Sequence, residues 1–138
     1  MAEKTEPFKI VDLNFISLYF LNLKEAVAFY TKIFGPPDQV DAKDPHYGWE
    51  LGATWLTLFK SKFGTAAESN PHNTEFAIQV AEPAEVDRLH DALLAAGSKT
   101  CHTPEDTEMY VPMRFCCVDD PFGVRIDVYC LIGPPASG

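Results

Sequence analysis

The sequence predicts an α+β fold in which one βα-then-strands unit is used twice, and three observations carry that expectation. Residues 15–20 (Phe-Ile-Ser-Leu-Tyr-Phe) lead into a helix-like stretch that stops at Gly35. Residues 75–80 (Glu-Phe-Ala-Ile-Gln-Val) lead into a second one that stops at Gly97. Each copy then closes on an alternating strand, Trp55 to Phe59 in the first and Arg125 to Tyr129 in the second. With 138 residues, 46% of them hydrophobic, the chain has material for one core. We therefore expect a single domain over 1–138, made of two modules at about 9–62 and 72–132 with a linker at about 61–73.

Residues 1–8 and the tail from Gly133 to Gly138 are expected to fray. Phe15 to Phe20 reads as the first strand. Asn22 suits an N-cap, and Glu25 three residues on completes a capping box for a helix with Val27, Tyr30, Ile33 and Phe34 on its apolar side. Gly35-Pro36-Pro37 ends that helix, because glycine accepts the turn and proline cannot continue it. Gln39 to Ala42 and Tyr47 to Leu51 read as strands around an Asp44-Pro45 turn. Trp55 to Lys60 is a stronger strand, since its aromatic and β-branched residues suit a pleated surface. Residues 61–73, rich in Ser, Gly, Asn and Pro, read as the linker.

In the second unit, Pro83 suits the first turn of a helix whose Val86, Leu89 and Leu93 recur at three- and four-residue spacing. Gly97 ends it. Strands around Lys99 to Cys101, Met113 to Val118 and Val124 to Cys130 complete the unit, with Asp120-Pro121-Phe122-Gly123 as the last turn. The segment Thr103 to Met113 reads as a loop. Its acids, together with Met109, Tyr110 and Met113, suit a lid that adapts to a ligand or an ordinary solvent loop.

Side chains alternate between the faces of a strand, so the four best strands split into two sets. Ile16, Leu18, Phe20, Leu56, Leu58, Phe76, Ile78, Val80, Val124, Ile126 and Val128 form an apolar face for the helices to cover. The opposite set is Phe15, Ser17, Tyr19, Trp55, Thr57, Phe59, Glu75, Ala77, Gln79, Arg125, Asp127 and Tyr129. Aromatic walls with a few placed polar groups fit a concave small-molecule site, the alternative being a second core or a dimer contact.

Eleven Lys and Arg against twenty Asp and Glu give a formal net charge of −9, which argues against nucleic acid or an anionic membrane as partner. No signal-peptide pattern and no membrane-spanning apolar run are present, so a cytoplasmic location is expected. Cys101, Cys116, Cys117 and Cys130 have no metal-ligand spacing and are expected to be buried reduced thiols. No nucleophile-and-base pair, phosphate-cradling loop or dinucleotide fingerprint is found.

Two stretches, Leu23-Lys-Glu-Ala-Val-Ala-Phe-Tyr30 with Ile33-Phe-Gly35, and Asp120-Pro-Phe-Gly-Val-Arg-Ile-Asp127, carry a resemblance to the vicinal oxygen chelate superfamily. That superfamily includes glyoxalase I, extradiol dioxygenases and fosfomycin- and bleomycin-resistance proteins. The resemblance covers nearly the whole chain. It implies two βαβββ modules forming an incomplete barrel around a cup-shaped cavity, usually in a homodimer.

Metal-using members of the superfamily place four ligands on the first and last strands of the modules, which the resemblance maps to Phe15, Thr57, Glu75 and Asp127. Only Glu75 and Asp127 are effective donors, and two carboxylates would hold a divalent ion weakly. No cofactor is therefore expected, with a divalent metal ion as the alternative. His46, His72 and His102 read as loop residues and His90 as a helix residue, all at the surface rather than ligands.

If Glu75 and Asp127 meet without an ion, burial and repulsion should raise a carboxyl pKa, unless Arg125 forms an internal salt bridge with Asp127. The resulting expectation is a metal-independent binding protein of sequestration or antibiotic-resistance type, taking cationic or aromatic ligands. Its binding residues would be Phe15, Ser17, Tyr19, Trp55, Thr57, Phe59, Glu75, Gln79, Arg125, Asp127 and Tyr129. The alternative is a glyoxalase-like metal-dependent lyase, isomerase or dioxygenase with an altered metal shell and Glu75 as ligand or base. A domain that merely dimerises or scaffolds is a third possibility.

Overall fold

The computed structural model describes residues 7, 9–43, 45–61, 66, 68, 74–108 and 111–133. Most of the expected chain ends, Asp44 of the expected turn, most of the linker with His72, and Met109 and Tyr110 of the expected lid lie outside them.

Each unit folds as one helix on one four-stranded sheet. The first contains β1 (Phe15–Phe20), α1 (Leu23–Phe34), β2 (Gln39–Asp41), β3 (His46–Leu51) and β4 (Thr54–Lys60). The second contains β5 (Thr74–Gln79), α2 (Pro83–Ala95), β6 (Lys99–Glu108), β7 (Pro112–Asp119) and β8 (Val124–Leu131). The strand orders are β1-β4-β3-β2 and β5-β8-β7-β6, so the same topology recurs and the sheets are not closed into a barrel. In both units the strand before the helix pairs in parallel with the last strand, and the remaining pairs are antiparallel.

Alternation along these strands builds one shared core. Leu18, Phe20, Leu56, Leu58, Val124, Ile126 and Val128 are buried with Ala26, Phe29 and Tyr30 of α1 and Val86 and Leu93 of α2. Ile16, Phe76, Ile78 and Val80, expected on the same apolar face, are only partly buried. The buried side of α1 is Leu23, Ala26, Phe29 and Tyr30, whereas Val27, Ile33 and Phe34 are only partly covered.

The expected capping box does not form, since the Asn22 side chain makes no cap hydrogen bond. The helix opens instead with the Ala26 N–H donating to the Asn22 carbonyl at 3.1 Å. Gly35 ends it as expected, at φ 82°, a left-handed conformation that glycine adopts without strain.

Three expectations are corrected. Thr103 to Glu108 is strand rather than loop: β6 runs on to Glu108 through two register shifts, which accommodate Pro104 in a strand at the sheet edge. Cys101 and Cys117 are not free thiols. The Thr100/His102 irregularity turns Cys101 toward Cys117, and the two are joined as a disulfide with Cα atoms 5.2 Å apart. Cys116 and Cys130 stay free and buried, and burial pushes the Cys116 thiol up to about 11. His90 is buried in α2, with Nε2 2.9 Å from the Thr100 hydroxyl.

Candidate functional site

The second face of each sheet points away from the helices. On the first sheet, β1 and β4 pair in register, so their rings form rows. Phe15 lies beside Trp55 with centroids 6.4 Å apart. Tyr19 stacks beside Phe59 at 5.4 Å, and β3 adds His46 to that row at 4.9 Å from Phe59. Gly48 makes room for the neighbouring indole, because a Cβ there would sit 3.2 Å from the Trp55 ring.

Between the rows, the Thr57 hydroxyl donates to the Ile16 carbonyl at 3.3 Å and lies 2.7 Å from the Ser17 hydroxyl. Thr57 is buried, and its hydroxyl is spent inside the sheet.

On the second sheet, Glu75 and Gln79 of β5 lie on one face with Arg125, Asp127 and Tyr129 of β8. The Tyr129 hydroxyl donates to Gln79 Oε1 at 3.3 Å. β7 contributes Asp119 directly opposite Arg125 and Cys117 directly opposite Asp127. The expected alternative of an Arg125–Asp127 salt bridge gives way to this register. Arg125 forks onto Asp119, with Nε to Oδ1 at 2.9 Å and Nη2 to Oδ2 at 3.2 Å.

Asp127 therefore has Glu75 as its near neighbour. Burial first, then the hydrogen bond and repulsion from Glu75, raise the Asp127 carboxyl to about 7, while the field of Arg125 partly opposes the rise. A carboxyl near neutrality exchanges its proton readily and strengthens its hold on a cation as it ionises.

The sequence-predicted residues thus come together within each sheet. Phe15, Ser17, Tyr19, Trp55, Thr57 and Phe59 share one face, and Glu75, Gln79, Arg125, Asp127 and Tyr129 share the other. A cavity of about 640 Å³ between the units takes only Trp55 and Gln79 from this set. Two histidines expected in loops are strand residues instead. His46 opens β3 against Phe59, and His102 sits in β6, with Nε2 2.7 Å from Glu105 Oε1 and its ring 5.8 Å from Phe115. The period-two step from His46 through Gly48 to Glu50 was the available signal for the first.

The four positions that would hold a metal do not fit one. Phe15 offers no donor, the Thr57 hydroxyl is already engaged, and only Glu75 and Asp127 adjoin. Among the described residues no three His, Cys, Asp or Glu side chains converge, whereas a catalytic transition metal takes three or more protein ligands.

Comparison with known proteins places this geometry. A family model described as Glyoxalase/Bleomycin resistance protein/Dioxygenase superfamily matches residues 12–128. No curated protein matches the chain. Among solved structures, a glyoxalase/bleomycin resistance protein/dioxygenase from Nocardioides is similar at TM-score 0.70 and 18% identity, covering 95% of this chain and 91% of that one. A glyoxalase/bleomycin resistance protein/dioxygenase family enzyme from Burkholderia phytofirmans PsJN is similar at TM-score 0.70 and 16% identity, covering 88% and 100%. A glyoxalase/bleomycin resistance protein from Albidiferax ferrireducens T118 is similar at TM-score 0.70 and 19% identity, covering 86% and 98%.

Proposed function

The chain belongs to the glyoxalase/bleomycin resistance protein/dioxygenase superfamily, the vicinal oxygen chelate proteins, and from that premise we propose that it is a metal-independent small-molecule-binding protein. The observation that carries this reading is the Glu75–Asp127 pair. Its two carboxyl groups adjoin on an open sheet face while the nearby guanidinium of Arg125 is turned onto Asp119. A ligand cation would relieve their repulsion, and the net charge of −9 favours the approach of cations.

The aromatic rows stand on the other sheet, and in this reading the homodimer brings them against the flat part of such a ligand. Stacking on Trp55 or Phe59 adds binding energy, and a cation over those rings adds about 0.5–2 kcal/mol more. The ligand class is a planar, positively charged small molecule, and the role is sequestration of the resistance type. The working unit in this reading is a homodimer, supported by rings left open to solvent, with Phe15 60% and Tyr19 45% exposed. Similar structures carry both resistance-protein and dioxygenase names, so the choice between binding and metal catalysis rests on this chain's own donors. Those donors do not supply a catalytic metal shell.

Titration with 9-aminoacridine, a planar cation at neutral pH, tests the reading by its fluorescence. Asp127→Ala and Trp55→Ala should each weaken binding at least tenfold without changing the circular dichroism spectrum. Unchanged affinity in both variants would move the site elsewhere.

A further inference from the structure

The cavity of about 640 Å³ between the units lies largely on the other side of the strands from the Glu75–Asp127 pair. Its walls are Ile16, Leu56, Phe76 and Ile78 from the helix-covered faces, with Phe34 of α1 and Leu89 of α2. This explains why Ile16, Phe76 and Ile78 are only partly buried although their strand phase is that of the core. Apolar side chains are left unfilled where two sheets and two helices converge. The volume lies within the roughly 300–1,000 Å³ typical of small-molecule pockets.

We propose that this cavity is a second ligand site, distinct from the acidic face, for a neutral molecule with an aromatic body and one hydrogen-bonding end. Neutrality follows from the lining, which among the described residues contains no charged side chain. A charged ligand would be desolvated there without a partner. The aromatic body follows from the rings of Phe34, Trp55 and Phe76, which favour offset or edge contacts with a further ring. The hydrogen-bonding end follows from Thr54, whose hydroxyl donates to the Leu13 carbonyl at 3.1 Å and can still accept, and from Gln79, whose Oε1 accepts from Tyr129 and whose amide N–H groups can still donate. Trp55 and Gln79 also belong to the acidic-aromatic faces, so the two sites adjoin and share a wall.

The probe is N-phenyl-1-naphthylamine, a neutral amine joining a naphthyl and a phenyl ring, whose emission rises in apolar surroundings. Saturable binding with one site per chain is expected in the full-length protein. Leu89→Trp from α2, or Ile33→Trp from α1, fills the cavity without touching the acidic face. Each should weaken the probe at least tenfold while leaving 9-aminoacridine binding unchanged. Thermal melts identify a variant that fails to fold, and the variant on the other helix then carries the test. Non-saturable binding of the probe overturns the proposal, as does equal affinity in a folded, filled variant. It is also overturned if the probe does not bind, and loss of self-association by the filled variants in sedimentation would then assign the cavity to a second copy of the chain.

Discussion

Tyr30 of α1 donates a 2.7 Å hydrogen bond to Asp120 Oδ2 in the turn between β7 and β8, so that the two motifs marking the family meet in the core. Asp120 Oδ1 accepts from the backbone N–H groups of Phe122 and Val124, both at 2.8 Å. One carboxylate thus closes its own turn and fastens the first unit to the second. Phe122, held by that turn, packs edge-on against Phe20 and Phe29 at 5.4 and 6.1 Å. Both motifs therefore serve the junction between the units. Asp127, at the end of the second motif, turns toward the site.

The Tyr30→Phe variant keeps the ring and removes the donor. We predict a loss of about 1–3 kcal/mol in urea unfolding, the usual consequence of leaving a buried acceptor short of a partner. Asp120→Ala should cost more, because three accepted bonds disappear together.

The duplication was legible in the sequence because it is written in short-range chemistry: strand alternation at Phe15–Phe20 and Val124–Leu131, and helix ends at Gly35 and Gly97. The split into two faces was legible for the same reason. Long-range register was not. Nothing local indicates that Arg125 would choose Asp119 over Asp127, since the choice depends on β7 lying directly opposite β8. The Cys101–Cys117 pairing depends on an irregularity in β6, and the partial exposure of Phe76 and Ile78 on how the two units meet.

The Asp127 carboxyl titrates near 7 in the folded protein, well above the ~3.9 of an unfolded aspartate. Between those values the native state holds a proton that the unfolded chain has released. The contribution of this group to stability therefore falls as pH rises through that window and levels off above it. Asp127→Asn should melt higher than the wild type at pH 8 and gain nothing at pH 4.5. Thermal melts across that range check the slope, and an equal offset at every pH would contradict it.

Arg125 opposes the rise in the Asp127 pKa through its positive field. Replacing it as Arg125→Gln should move the Asp127 midpoint upward, as read by carbon-13 carboxyl titration. A downward move would mean that Arg125 does not act on Asp127 through its charge.

Gly48 lies against the Trp55 ring, with only 3.2 Å available to a Cβ. The substitution Gly48→Val should push the indole off the sheet, red-shift its emission and weaken 9-aminoacridine at least tenfold. Trp49, fully buried and donating to the Gly35 carbonyl at 2.8 Å, should keep its own emission unchanged.

Selection for positive charge is the property by which the Glu75–Asp127 pair would act as a ligand site. The most direct measurement is calorimetric titration at pH 8 with two flat ligands of nearly the same shape, cationic 9-aminoacridine and neutral acridine, against the wild type and Asp127→Asn. We predict at least tenfold preference for the cation in the wild type and its collapse in the variant. Equal affinity for the two ligands, or a preference that survives Asp127→Asn, would contradict the account.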